Sequence, residues 1–243
     1  MSSFLLALQF LTVLPFKVED FSEKRMAWAS AYFPAVGLFL GLTLVGLNTL
    51  LTFLGIPSIV ISIFIVVALI ILTGGMHLDG LSDTADAFLS GKSKDEMLMI
   101  MRDPHIGVMG VLSLISVILL KIGLIYSLGF AIKPIALILI CVLSRWASVM
   151  AMYLFPYARE DGKAKLLIGG LNLKVFVVSL VTVLIFAILL LGIKGILVLV
   201  VVAGCTYLVG KLISRKIGGL TGDTLGALIE LIEIITLITF CIA

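Results

Sequence analysis

Residues 56–76 read IPSIVISIFIVVALIILTGGM, twenty-one positions without a single charged side chain. A helix that crosses the ~30 Å hydrocarbon core of a bilayer needs about 20 apolar residues, so this run reads as a membrane span. Six further runs of comparable length follow the same logic, at roughly 31–54, 107–132, 134–155, 173–193, 195–212 and 225–243. The opening FLLALQFLTVLPF (residues 4–16) is too short for a span, carries Pro15 at its end and has no basic residue before it. It therefore reads as a re-entrant or interfacial helix and not as a signal peptide. Composition agrees, with 62% hydrophobic and 13% charged residues against ~25% charged in a soluble domain. Such a chain cannot cover a globular surface with charge. The expected fold is all-α, a polytopic membrane bundle of about seven spans plus the short N-terminal helix, in one domain over residues 1–243. No repeat or linker marks a second domain. Cys141, Cys205 and Cys241 lie inside apolar runs, with neither disulfide nor zinc spacing.

The links between the spans alternate in charge. Thirteen of the seventeen Lys and Arg residues fall in segments 17–30, 77–106, 156–174 and 211–224, whereas Lys133 and Lys194 stand alone on the opposite side. The positive-inside rule makes the rich side cytoplasmic and, with seven spans, places the C-terminus outside. Twelve of the fourteen acids occupy the same segments, and the other two, Glu230 and Glu233, enter the last span from that side. The rule does not place carboxylates, so this asymmetry points to chemistry on the cytoplasmic face.

The acids are densest immediately after the opening run, in GGMHLDGLSDTADA (residues 74–87). Asp79, Asp83 and Asp86 are spaced i, i+4, i+7 and share one helical face. A solvated polar edge would interleave lysine, and no lysine occurs between Lys24 and Lys92. Adjacent carboxylates repel unless a cation binds them, and Mg²⁺, a hard ion shared between carboxylates and substrate phosphates, suits them. His77 stands beside them as a ligand, a phosphate donor or an interfacial histidine.

Ser93 and Glu96 form a capping box opening a helix that stops before Pro104, with Met97, Leu98, Ile100 and Met101 expected to float it in the interface. Arg102 is placed for a phosphate or as a positive-inside anchor. The glycine-rich turn GGLTGDTLG (residues 218–226) puts Thr221 at a helix N-terminus, a ready anion site, with Asp223 inside it. Asp223 is expected to complete the metal site of Asp79 and Asp83, and Glu230 to act as a substrate group. Within the spans, Lys121 is expected to snorkel outward. Arg145, central in its span, should face the interior and pair with a carboxylate or a bound phosphate.

Four motifs, GGMHLDGLSDTADA (74–87), IMRDPHIGVMGV (100–111), PYAREDG (156–162) and GGLTGDTLGALIEL (218–231), together with FLLALQFLTVLPF (4–16), resemble the cobalamin synthase family, the adenosylcobinamide-GDP ribazoletransferases. The likeness runs end to end and in order. It implies a Mg²⁺-dependent transfer of cobinamide-phosphate from adenosylcobinamide-GDP to a ribose hydroxyl of α-ribazole or its 5′-phosphate, with release of GMP. By position, Asp79, Asp83, Asp86 and Asp223 match the family's acidic motifs, as do His77, Arg102, Arg159 and Glu230. The chain is expected to be a multi-pass protein of the cytoplasmic membrane, with its active site on the cytoplasmic face, no nucleic acid partner and homo-oligomerisation left open.

Two other classes compete. A CDP-alcohol-type phospholipid phosphotransferase would use similar metal logic, but the chain lacks D-x-x-D-G-x-x-A-R, since Ala87-Phe88 follows Asp86. A transporter would place broken helices and charges near the midplane, whereas here the glycines and most acids lie at one face.

Overall fold

The computed structural model describes residues 3–16, 22–159 and 161–242. Residues 17–21 and Glu160, both within segments assigned above to the charged face, lie outside the described residues. Helices α1 (Ser3–Leu11), α2 (Glu23–Ser30), α3 (Phe33–Phe53), α4 (Ser58–Thr73), α5 (Met76–Leu89) and α6 (Lys94–Ile100) make up the first part of the chain. They are followed by α7 (Val108–Ser127), α8 (Lys133–Leu154), α9 (Lys163–Gly169), α10 (Leu173–Leu191), α11 (Lys194–Ile217) and α12 (Gly222–Ile242). Apart from one parallel bridge between Tyr157 and Leu220, the described residues hold no strand pairing.

Six helices, α3, α7, α8, α10, α11 and α12, are each long and apolar enough to cross a membrane. The seventh expected span is different. Gly74 and Gly75 both adopt left-handed backbone, at φ 64° and 69°, a region open to glycine at little cost. There the chain bends by 91° from α4 into α5. With sixteen residues, α4 reaches only roughly 24 Å at 1.5 Å per residue. The run at 56–76 is thus a short span and a corner, and the bent pair counted as one gives seven crossings. Nine-residue α1 spans roughly 14 Å and cannot cross; Leu6, Ala7, Leu8 and Leu11 are buried, and Val13 N–H donates to the Leu72 carbonyl at 2.9 Å.

Helix α8 is the central post, buried along most of its length and packed by α3, α12, α10 and α11. Lipid supplies little hydrophobic drive for helix association, so close backbone approach between small residues matters more. Gly37 and Gly41 provide it, because a Cβ there would come 2.4 Å from the Cys141 carbonyl oxygen and 2.5 Å from Ile138 Cα.

The charged segments gather at one end. Helix α5 crosses the starts of α7 and α12; Ala158 N–H donates to Leu220 O, and Leu220 N–H to Pro156 O, each at 2.8 Å. Helix α11 continues to Ile217, beyond its apolar run, until Gly218 at φ 82° ends it. Helix α12 begins at Gly222, next to Thr221 as the glycine-rich turn implied and three residues before the apolar run, so both carry polar turns out of the apolar band. The capping box of α6 forms, Glu96 accepting from Ser93 N–H at 2.9 Å. Its Met97 and Met101, however, are buried against protein, which corrects their expected interfacial role.

Candidate active site

The site is made possible by a glycine crossing. A Cβ on Gly80 would lie 2.5 Å from the Asp223 carbonyl oxygen, and one on Gly226 would lie 3.1 Å from His77 Cα. Two bare positions let α5 and α12 touch backbone to backbone, which brings Asp79, His77 and Asp223 to the lining of one cavity. A glycine interior to a helix, flanked by Asp79 and Leu81, was a sequence signal for this approach. Gly80→Ala is expected to push α5 away from α12 and lower kcat by roughly 10²-fold, the effect of about 1 Å of misplacement. Circular dichroism should show the helices retained, and turnover above half of wild type would contradict the crossing's importance.

Asp79, Asp83 and Asp223 are mutually close in charge. Burial pushes the Asp83 carboxyl up to about 6, reinforced by Asp79, then Asp223 and Asp86, with Arg159 opposing. Arg159 Nη2 lies 2.9 Å from Asp223 Oδ2, in an ion pair whose alignment falls short of a hydrogen bond, and Arg159 Nε is buried without a hydrogen-bond partner. Asp86 does something else. Its carboxylate accepts from Gly107 N–H at 2.7 Å and Gly110 N–H at 2.8 Å, capping the α7 N-terminus, where anions are favoured. Among the described residues no group of three or more His, Cys, Asp or Glu side chains is arranged around a metal position. The expected set of four aspartates therefore does not form a single cage, and Asp86 is committed to backbone. What remains fits Mg²⁺ in its commoner mode, one or two carboxylates with substrate phosphates completing the shell.

The other expected residues divide. His77 is 3% exposed, with neither ring nitrogen hydrogen-bonded; burial, then Arg145 and Lys121 against the opposing Glu233, lowers its pKa to about 3, so the ring is neutral. Arg102 lies at the outer rim, its Nη2 donating to Asp161 Oδ1 at 2.7 Å, and borders an open cleft of about 850 Å³ shared with Asp79, Asp83, Asp103 and His105. Thr221 is fully buried, and its hydroxyl accepts from Thr224 N–H at 3.2 Å while its own N–H donates to Thr224 Oγ1 at 2.8 Å. It caps α12 from outside the cavity lining; Gly222 and Asp223 are the first-turn residues that line the cavity.

Arg145 and Glu230 are not in the cavity. They belong to a buried cluster in which Lys121 Nζ donates to Glu230 Oε2 and Glu233 Oε2, each at 2.5 Å, and Arg145 Nη1 donates to Glu233 Oε1 and, at 3.0 Å, to Ser144 Oγ. Arg145 thus meets a carboxylate, as its position implied. Lys121 does not snorkel outward. Helical side chains lean toward the helix N-terminus, and in α7 that direction leads back to the acids. Because α12 starts at Gly222, Glu230 and Glu233 stand roughly 12 and 17 Å along it, not in its first turns. Two cations inside spans matched by two acids inside a span was the available signal, and pairing them required knowing which helices touch.

The cobalamin-5-phosphate synthase family model matches residues 3–241. An adenosylcobinamide-GDP ribazoletransferase of Desulforamulus reducens is 36% identical over 232 residues, 96% of this chain and 93% of that protein. Proteins of the same name from Roseiflexus sp. and Escherichia coli O45:K1 are 40% identical over 240 residues and 41% identical over 211. These cover 98% and 85% of this chain, and 88% and 84% of theirs. No solved structure matches the chain.

Proposed function

The chain belongs to the cobalamin-5-phosphate synthase family, and from that premise we propose that it is an adenosylcobinamide-GDP ribazoletransferase dependent on Mg²⁺. A ribose hydroxyl of α-ribazole, or of its 5′-phosphate, attacks the phosphorus that bears the cobinamide. A new phosphodiester bond forms, the anhydride bond to GMP breaks, and the hydroxyl proton is lost. The observation that carries this reading is the shared cavity of Asp79 and Asp223, brought together from distant parts of the chain by the Gly80–Asp223 crossing, beside Arg159, whose buried Nε has no hydrogen-bond partner.

When bound, Mg²⁺ supplies charge neutralisation at the pyrophosphate. Asp79 and Asp83, with Asp223 adjacent, are the residues that would hold it. Arg159, released from Asp223, turns its guanidinium to a phosphate oxygen. Arg102, 57% exposed and paired only at the surface with Asp161, exchanges that partner for a phosphate at little cost, since exposed pairs contribute about 0–1 kcal/mol. Asp86 fixes α5 against α7 and so holds the acidic face in register. Purified protein given adenosylcobinamide-GDP and α-ribazole should release GMP with Mg²⁺ and not with chelator; absence of GMP in both would reject the function, and equal release in both would reject the metal.

The site end carries the basic excess, so it faces the cytoplasm of a cell membrane. A cysteine at Ser90, which is exposed at that end, is expected to react with an impermeant maleimide in inverted vesicles and not in intact cells. Labelling only from outside would reverse the orientation.

A further inference from the structure

The cavity whose rim holds Asp79 and Asp223 continues inward as an apolar chamber. Its volume is about 290 Å³, at the small end of the ~300–1,000 Å³ usual for ligand pockets. The buried part of its lining is mostly apolar. Asp79 on the rim is exposed, whereas the lining residues Leu11, Phe33 and Leu167 are 1–2% exposed. The Phe10 ring lies nearly parallel to Phe33, at 6.0 Å between centroids and 14° between planes. Ser148 also lines the chamber, but its hydroxyl already donates to the Arg145 carbonyl at 2.7 Å. His77 is the exception. It lines the same chamber, is 3% exposed, and has both ring nitrogens buried without a partner. As the ring stands both nitrogens are closed to water, and a half-turn of the imidazole exchanges each with a carbon. Since buried polar atoms are paired in folded proteins, an unpaired imidazole in the wall of an apolar chamber points to a ligand atom.

Three flat or bulky groups meet in the reaction: the corrin macrocycle, guanine, and the aromatic base of the acceptor nucleoside. The corrin far exceeds the chamber. Guanine would bring several amide and amino groups into walls that offer few free partners, each costing roughly 1–3 kcal/mol if left unpaired. The acceptor's benzimidazole is neutral, mostly apolar, and has one unsubstituted ring nitrogen that accepts one hydrogen bond. An imidazole always has at least one N–H to donate.

We infer that the apolar chamber is the acceptor-nucleoside subsite, its walls taking the aromatic base and His77 donating a hydrogen bond to the base's free ring nitrogen. The ribose is then left at the rim, beside Asp79 and Asp223, while the corrinoid and GDP portions of the donor stay in the open clefts outside. The assignment rests on the transferase reading for the identity of the acceptor, and makes His77 a specificity-determining residue.

The test is equilibrium binding of α-ribazole to the full-length protein in lipid nanodiscs without donor, followed by steady-state kinetics. Wild type should bind α-ribazole saturably, and guanosine should not displace it. His77→Phe, which keeps the ring volume and removes the donor, should weaken α-ribazole binding at least 10-fold and raise its KM to match. The KM for adenosylcobinamide-GDP should change less than 3-fold. Leu167→Trp, which fills the chamber, should abolish α-ribazole binding; retained donor binding would show that this variant is folded, and if it is not, His77→Phe carries the test. The inference is overturned if α-ribazole does not bind wild type, if guanosine competes equally, or if His77→Phe leaves α-ribazole affinity unchanged. Loss of α-ribazole binding in the variants of a wild-type protein that releases no GMP would instead reject the transferase reading and keep the subsite.

Discussion

Glu233→Leu is expected to leave little folded protein in detergent extracts. Glu233 is fully buried and holds both Lys121 and Arg145, so the substitution strips one carboxylate from two cations at once. Among the four side chains the charges balance, two positive against two negative; without Glu233 they do not. Removing one partner of a buried ion pair costs about 3–5 kcal/mol, against a total stability of roughly 5–15 kcal/mol for a folded domain. Within an apolar bundle no water relieves the remaining charge. Restoring neutrality should restore folding, so Glu233→Leu combined with Arg145→Met is expected to recover most of the lost monodisperse protein. The readout is the monodisperse fraction on size exclusion and the thermal midpoint. A single variant within about 3 °C of wild type, or a double variant worse than the single, would show that the cluster does not carry the bundle.

Asp79→Asn and Asp223→Asn should do the reverse, sparing the fold and removing turnover. Both lie on the rim of the cavity, and Asp79 is exposed. Each is expected to lower kcat by about 10²–10³-fold, the usual cost of losing one preorganised charge-stabilising group, with KM for the acceptor little changed. Loss below 10-fold in both would place the phosphate chemistry elsewhere. Asp83→Asn adds a stability signature. The carboxyl's ordinary pKa is near 4, and in the folded protein it is raised to about 6. The unfolded chain therefore ionises first, and the folded state is penalised from about pH 4 upward, fully above about pH 6. In cation-free buffer Asp83→Asn should melt higher than wild type above pH 6, with the gap closing below pH 4, while turnover falls. A melting point below wild type at pH 7 would contradict the crowding of carboxylates around this residue. Asp86→Asn belongs to another class, since its carboxylate holds two amides of α7; it should lower the melting point at pH 7 as well as turnover.

The apolar runs sufficed for class and for six of the spans, because crossing a bilayer is a constraint each segment meets alone, and the alternation of charge showed which links share a face. The spacing of Asp79, Asp83 and Asp86 was equally legible, as helical periodicity needs no partner. It did not show that Asp86 would be spent on the amides of Gly107 and Gly110, because helix α7 arrives from another part of the chain. Nor could it tell that Gly74 and Gly75 would turn the chain by 91° and end the span at Thr73: glycine permits a left-handed corner without requiring one. Lys121 and Arg145 looked like separate charges with separate remedies. Only the contact of α7, α8 and α12 made them one neutral cluster with Glu230 and Glu233, since a long side chain can reach outward to water or inward to a carboxylate. Periodicity and hydropathy act locally and are written in sequence; pairing, and the chamber that His77 lines, depend on which helices meet and how closely.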